Sequence, residues 1–188
     1  IFPLQYDYCV PINLYEMNTL NLNQIILRPW SISDLEQLVE YANNPKISNN
    51  LTNAFPHPYL EEHGRRFIEF ATKDDPIHIF AIDLNGKAIG GIGVHPQSDI
   101  FCYNAELGYW IAEPYWGQGI ATLAIQQIVE FAFKAFDINR LFARPFGSNL
   151  ASQKVLEKTG FILEGRFEKT FFKNGQFEDE LIYAIRRK

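Results

Sequence analysis

Residues 105–112 form an apolar, strand-like run and residues 120–136 a long apolar, helix-like run; between them stands Tyr115-Trp116-Gly117-Gln118-Gly119-Ile120-Ala121-Thr122. A loop with two near-adjacent glycines opening directly into a helix has little side-chain bulk and several free backbone N–H groups. The positive end of the helix dipole faces the same way, so main chain alone can grip a phosphate or pyrophosphate. Two common phosphate loops do not fit. A P-loop requires Lys-Ser/Thr after its last glycine, and none follows. A dinucleotide fingerprint requires a third small residue where Thr122 stands and an acidic residue about 20 positions on. The nearest candidate for the latter, Asp137, falls at the predicted end of the helix.

The chain of 188 residues is long enough for one enzyme-sized domain, burying roughly two-thirds of its unfolded surface. A net charge of −5 argues against a nucleic-acid-binding surface and suits a cationic partner. The two cysteines, Cys9 and Cys102, have neither metal nor redox spacing and read as inert thiols. Gln126, Gln127, Glu130 and Lys134 interrupt the longest apolar stretch, so no membrane span is expected and a cytoplasmic location is. His57 and His63 lack further partners in metal-ligand spacing, and no metal is expected.

Local signals order the elements. Residues 24–28 read as a strand ended by Pro29. Ser33 and Glu36 read as a capping box, with Leu35, Leu38, Val39 and Ala42 as the apolar stripe of the helix they open. Asn43-Asn44-Pro45 stops it, residues 46–58 read as loop, and a second helix follows with Leu60, Phe67, Ile68 and Ala71 on one face. Residues 78–84 and 88–94 form a hairpin about Asn85-Gly86. Gly90, Gly91 and Gly93 within it read as close backbone packing rather than a second phosphate loop, since no helix follows. Beyond the long helix come a strand at residues 140–144 and a short helix capped by Ser148 or Asn149 and closed by Gly160. A last hairpin, residues 162–173 and 176–185, turns at Asn174-Gly175.

Trp116-Gly117-Gln118-Gly119-Ile120-Ala121 resembles the acyl-CoA pyrophosphate loop of the GNAT superfamily of N-acetyltransferases, usually Arg/Gln-x-x-Gly-x-Gly/Ala. The last three elements match at Gly119, Ile120 and Ala121, while Trp116 departs from the Arg/Gln opening. Tyr-Trp-Gly-x-Gly is similar to the RimJ/RimL-type branch, whose known members acetylate ribosomal-protein N-termini. The resemblance extends over residues 24–188 and implies an α/β GNAT fold: a mixed, mostly antiparallel twisted sheet, flanked by about four helices and splayed between strands 4 and 5. The segment from Met17 is similar to the natural start of many relatives. Residues 1–16 are therefore expected to be an extension or a non-native segment, and residues 17–188 the acetyltransferase domain.

The implied reaction moves an acetyl group from acetyl-CoA to a primary amine by direct attack, with neither metal nor covalent enzyme intermediate. A peptide or protein N-terminal amine is the leading acceptor. A polyamine or aminoglycoside, or a CoA-binding module without turnover, is the alternative; monomer and homodimer both fit. The amine must lose a proton, the leaving sulfur must gain one, and the developing oxyanion needs fixed donors. By resemblance, pantetheine slots between strands 4 and 5 against the main chain of Tyr109, Trp110 and Ile111. Residues 116–122, ending at Thr122, hold the pyrophosphate, and Asn149 bonds the pantetheine amides through a side chain that both donates and accepts. Glu106 is the candidate base, as the carboxylate inside the apolar strand that feeds the loop. It reads equally as an outward-facing structural glutamate; Glu113 is a weaker rival. Many members carry a tyrosine acid where this chain has Leu156, and Ser152, one turn after Asn149, is the substitute expected to contact the CoA sulfur. Phe55 and Tyr59 are expected to line the acceptor site, and Asp179 with Glu180 to attract its cation.

Overall fold

A computed structural model describes residues 25–187. The expectation for residues 1–16, like Cys9 and Met17, lies outside the described residues. β1 (Ile25–Pro29) turns Ile25 and Leu27 inward and includes Pro29, which can close an edge strand because an edge has unpaired N–H positions. The helix that follows is capped two residues earlier than Ser33 and Glu36 would have it. Ser31 accepts from the Ser33 N–H at 3.3 Å, and Asp34 accepts from the Ser31 N–H at 2.9 Å, opening a 3-10 turn (Ile32–Asp34) that feeds α1 (Leu35–Ala42). Asp34 wins this role because Arg28 pins it with two 2.7 Å bonds. Burial pushes the Asp34 carboxyl up, but the bonds from Arg28 and Ser31 hold it below its ordinary range.

At the start of the expected loop at residues 46–58 lies a one-turn helix, α2 (Pro45–Ser48), whose Lys46 N–H is capped by the Asn44 side-chain oxygen at 2.9 Å. α3 (Glu61–Ala71) buries Ile68 and Ala71; Leu60 precedes it and is exposed, so Leu60 is not part of the apolar face. β2 (Ile79–Leu84) and β3 (Lys87–Pro96) turn at Asn85 and Gly86, both at positive φ (55° and 82°), as a tight hairpin requires. β4 (Asn104–Ile111) leads through a further 3-10 turn (Glu113–Tyr115) into α4 (Ile120–Ala135). Then come β5 (Arg140–Ala143), α5 (Leu150–Lys158), β6 (Ile162–Lys173) and β7 (Gln176–Arg186). Among the described residues five helices therefore flank the sheet, the extra one being the single turn of α2.

Among the described residues seven strands form one sheet in the order β1-β2-β3-β4-β5-β7-β6, antiparallel except for β4 and β5. That parallel pair holds only from Asn104–Arg140 to Glu106–Phe142, although β4 runs on to Ile111. Past Ala143 the chain instead follows β7, with Leu181 donating to the Pro145 carbonyl at 3.1 Å and Gly147 to the Asp179 carbonyl at 2.8 Å. The sheet is thus splayed between its fourth and fifth strands. α4 covers one face over Ile92, Val94, Leu107 and Leu141, while α1 and α3 cover the other over Trp30, Ala81 and Ala88. A Cβ on Gly90 would stand 2.4 Å from the Trp110 carbonyl, and one on Gly91 2.9 Å from the Trp110 indole nitrogen. Those glycines serve close packing of β3 on β4.

Candidate active site

The splay leaves one edge of β4 bare. The Ala112 N–H bonds the Ile89 carbonyl at 2.8 Å toward β3, and the Tyr103 carbonyl bonds the Asn139 N–H at 2.9 Å toward β5. Backbone polar groups alternate sides along a strand. The main chain of Leu107, Tyr109 and Ile111 therefore faces the gap, while that of Trp110 faces β3. Trp110 differs here from the expectation that placed it on the gap: its ring goes to the α1/α3 side, 5.8 Å from Phe55. The Ile111 carbonyl is already taken by the Trp116 indole N–H at 2.7 Å, which leaves the Tyr109 N–H and carbonyl and the Ile111 N–H free for an extended ligand.

At the mouth of this gap Gly117 and Gly119 take φ of 74° and 79°, and a Cβ on either would meet nothing within 4 Å. Their need is conformational: left-handed backbone turns successive N–H groups to one side, and Gly119 heads α4 without any side-chain cap. The N–H groups of Ile120, Ala121 and Thr122 accordingly lack intrahelical partners, the first return being from Leu123 to the Gly119 carbonyl at 3.2 Å. Gln118 folds back, its amide donating to the Pro114 carbonyl at 3.0 Å. These main-chain donors fit a pyrophosphate.

Opposite β4, Asn149 caps α5, its side-chain oxygen accepting the Ser152 N–H at 3.1 Å. One lone pair of that amide oxygen is thereby used, and the N–H₂ group remains for a ligand. Ser152 bonds the Tyr109 hydroxyl at 2.8 Å across the gap. Leu156 is fully buried in the core beneath.

The carboxylates are more heavily engaged than their sequence suggests. Glu106 receives Arg144 through two parallel 2.9 Å bonds, and Arg144 also stands 3.6 Å from Glu180. Bidentate pairing of this kind fixes orientation as well as charge. Its Glu106 partner raises the Arg144 guanidinium above its ordinary range. Glu113 is held by Asn44 at 2.7 Å and by Lys46, which keep its carboxyl below the usual range. Asp179 is not a free acceptor-site carboxylate: the Lys169 N–H and the Arg166 guanidinium occupy it at 2.9 and 2.6 Å, where β6 bulges from β7. Tyr59 is almost fully buried against Phe55, and burial pushes its phenol up to about 12, so it packs rather than lines a cleft. Phe55 does line one: a cavity of about 340 Å³ that also borders Ser48, Asn49, His57, Lys173 and Asn174.

Arg144, His95 and the Tyr109 hydroxyl were missed by sequence reasoning. His95 pairs with Glu106 in the β3–β4 register; burial first, and then His78, lower its imidazole. Only the tertiary arrangement of β3, β4 and the chain after β5 could have found these three groups. Among the described residues no group of three or more His, Cys, Asp or Glu side chains could hold a metal, and no helix is long and apolar enough to cross a membrane.

Residues 24–162 match the family described as acetyltransferase (GNAT) domain. The chain is 33% identical over 101 residues to the putative ribosomal N-acetyltransferase YdaF of Bacillus subtilis, a match spanning 54% of the chain and 55% of that protein. It is 24% identical over 169 residues to the spermidine N(1)-acetyltransferase of Escherichia coli, covering 87% of the chain and 86% of that protein. Among solved structures, RimL, a ribosomal L7/L12 alpha-N-protein acetyltransferase in complex with coenzyme A, superposes with a TM-score of 0.75. The identity there is 21%, over 87% of the chain and 98% of RimL, a likeness of fold. The chain belongs to the GNAT family and is an N-acetyltransferase.

Proposed function

We propose that this protein transfers the acetyl group of acetyl-CoA to the N-terminal amine of a peptide or protein, by direct attack in a ternary complex. The observation that carries the reading is the bare β4 edge at Tyr109 and Ile111, continuous with the N–H-rich loop at residues 117–122. Acetyl-CoA supplies the activated acyl group. The loop holds its pyrophosphate, the β4 edge and the Asn149 N–H₂ group hold its pantetheine, and the Tyr109 N–H is a fixed donor for the thioester carbonyl. Ser152 contacts the sulfur.

Glu106 and Glu180 supply negative charge beside the bare strand, which suits an incoming ammonium. Glu106 acts as base, its carboxylate oriented by the two bonds from Arg144. An N-terminal amine, with a pKa of about 7.7–8.0 against about 10.4 for lysine, offers far more of its free form near neutral pH. The ribosomal relatives support this acceptor. A polyamine is the second reading, favoured by the near full-length match to a spermidine acetyltransferase.

Free-thiol release from acetyl-CoA, measured against N-terminal peptides, lysine peptides, spermidine and aminoglycosides, tests the proposal. Release fastest with N-terminal peptides is expected. Release with spermidine alone would replace the acceptor and keep the cofactor assignment. Failure to bind CoA would overturn both.

A further inference from the structure

The Tyr109 side chain crosses from β4 to α5, where its hydroxyl stands 2.8 Å from that of Ser152. Ser152 sits in the first turn of α5, with its N–H already given to Asn149. A helical serine commonly gives its hydroxyl proton to a backbone carbonyl three or four residues earlier. Among the described residues, the partner of this hydroxyl is instead the phenol. A serine hydroxyl has one proton to give and two lone pairs with which to accept. The phenol is the stronger acid of the pair. Burial pushes it up, against a smaller opposing pull from Ser152, so it keeps its proton at neutral pH. With Tyr109 donating, the Ser152 oxygen is occupied as an acceptor and its own proton is left for another partner.

We propose that Tyr109 is a positioning residue acting through Ser152: its phenol donates to the serine oxygen and so directs the serine proton to the sulfur of bound CoA. This rests on the reading of Ser152 as the sulfur contact. Linked hydrogen bonds polarise one another, so the donation also strengthens the serine as a donor. The pair answers the substitution at position 156, where the buried Leu156 offers no hydroxyl. The phenol comes from the strand rather than the helix and reaches the sulfur through an intermediary.

A donor aimed at sulfur favours its thiolate, which gives a readout independent of turnover. Calorimetry would compare CoA with its S-methyl thioether from about pH 7 to 9.5, around the ordinary thiol value of about 8.5. The proteins are wild type, Tyr109→Phe, Ser152→Ala and the double variant. CoA should bind more tightly as pH rises, and the thioether should not. Tyr109→Phe, which keeps the ring and its packing, should weaken that rise and lower kcat roughly 2- to 10-fold, the worth of one hydrogen bond. Ser152→Ala should abolish the rise, and the double variant should match Ser152→Ala alone in both readouts. If Tyr109→Phe behaves as wild type while Ser152→Ala loses both, the role of Tyr109 is overturned and the sulfur contact stands. A further loss from Tyr109→Phe in the Ser152→Ala background would show it acting independently, which also overturns the proposal. A Ser152→Ala protein with an unchanged rise and rate would remove the sulfur contact, and the proposal with it.

Discussion

The two halves of the site are built in opposite ways. On the proposed cofactor side the loop is one contiguous stretch, residues 116–122, whose shape comes from two glycines at positive φ and the start of α4. On the acceptor side nothing is contiguous. Arg144 reaches Glu106 from 38 residues away, and the turn of the last hairpin reaches the loop after α2 through Lys173–Asn53 and Asn174–Asn49, 120 and 125 residues apart. A phosphate group is common to every reaction of a CoA enzyme and can be met with main chain, which any sequence has. An acceptor must be told from other amines, and that takes particular side chains brought together by the fold. One architecture can therefore keep its first half and vary its second.

The largest test of this contrast is Glu106→Gln. The acceptor half should lose its base, with kcat falling about 10²- to 10⁴-fold while calorimetry finds CoA binding intact. A rate unchanged across pH would strip Glu106 of that role. The converse change is Gly119→Val. A left-handed conformation costs a β-carbon residue about 1–2 kcal/mol, so CoA should bind roughly 5- to 30-fold more weakly. Acceptor ranking should be unaltered, since position 119 touches no acceptor residue; a changed ranking would mean the halves are not separate.

A smaller effect belongs to His95, in the acceptor half beside Glu106 and His78. Its folded imidazole lies below the ordinary value of about 6.5, so the unfolded chain takes up that proton first. Stability should therefore rise with pH through the window just below about 6.5 and level off above it. His95→Asn should flatten thermal melts recorded across that window; an identical slope in the variant would discard the assignment. Smallest is Lys46→Met, which cuts an exposed tie from α2 to Glu113 at the head of the cofactor loop. Urea denaturation should register little or no loss, as for an exposed ion pair, and neither CoA affinity nor acceptor KM should move. Joint movement of both would reveal coupling between the halves.

Much of the fold was legible because its punctuation is local. Asn85-Gly86 and Asn174-Gly175 each require positive φ at both positions, which few residue pairs provide, and each forms the expected turn. Gly160 closes α5 at φ 89° for the same reason. Where two nearby residues could serve, the choice escaped. Ser31 rather than Ser33 caps the first helix because Arg28 already holds Asp34, and that pair is a product of the β1–β2 sheet edge, where Arg28 also bonds Asp83 at 2.8 Å. Asp179 was legible as a carboxylate near the site but not as one occupied by the bulge of β6.

What the sequence determined by itself was the order of elements, the two Asn-Gly hairpin turns and the glycine-led entry into α4, because each depends on residues that are neighbours along the chain. The tertiary structure alone decided which side chains share a face. Strand register sets that choice, and a one-residue slip reverses every side chain. The pairing of β4 with β5 stops at Glu106, so Arg144 meets Glu106, Trp110 turns its main chain to β3, and the Tyr109 hydroxyl arrives at Ser152. Where a parallel pair stops depends on how β7 draws the chain after β5 away from β4, a balance among segments more than 30 residues apart.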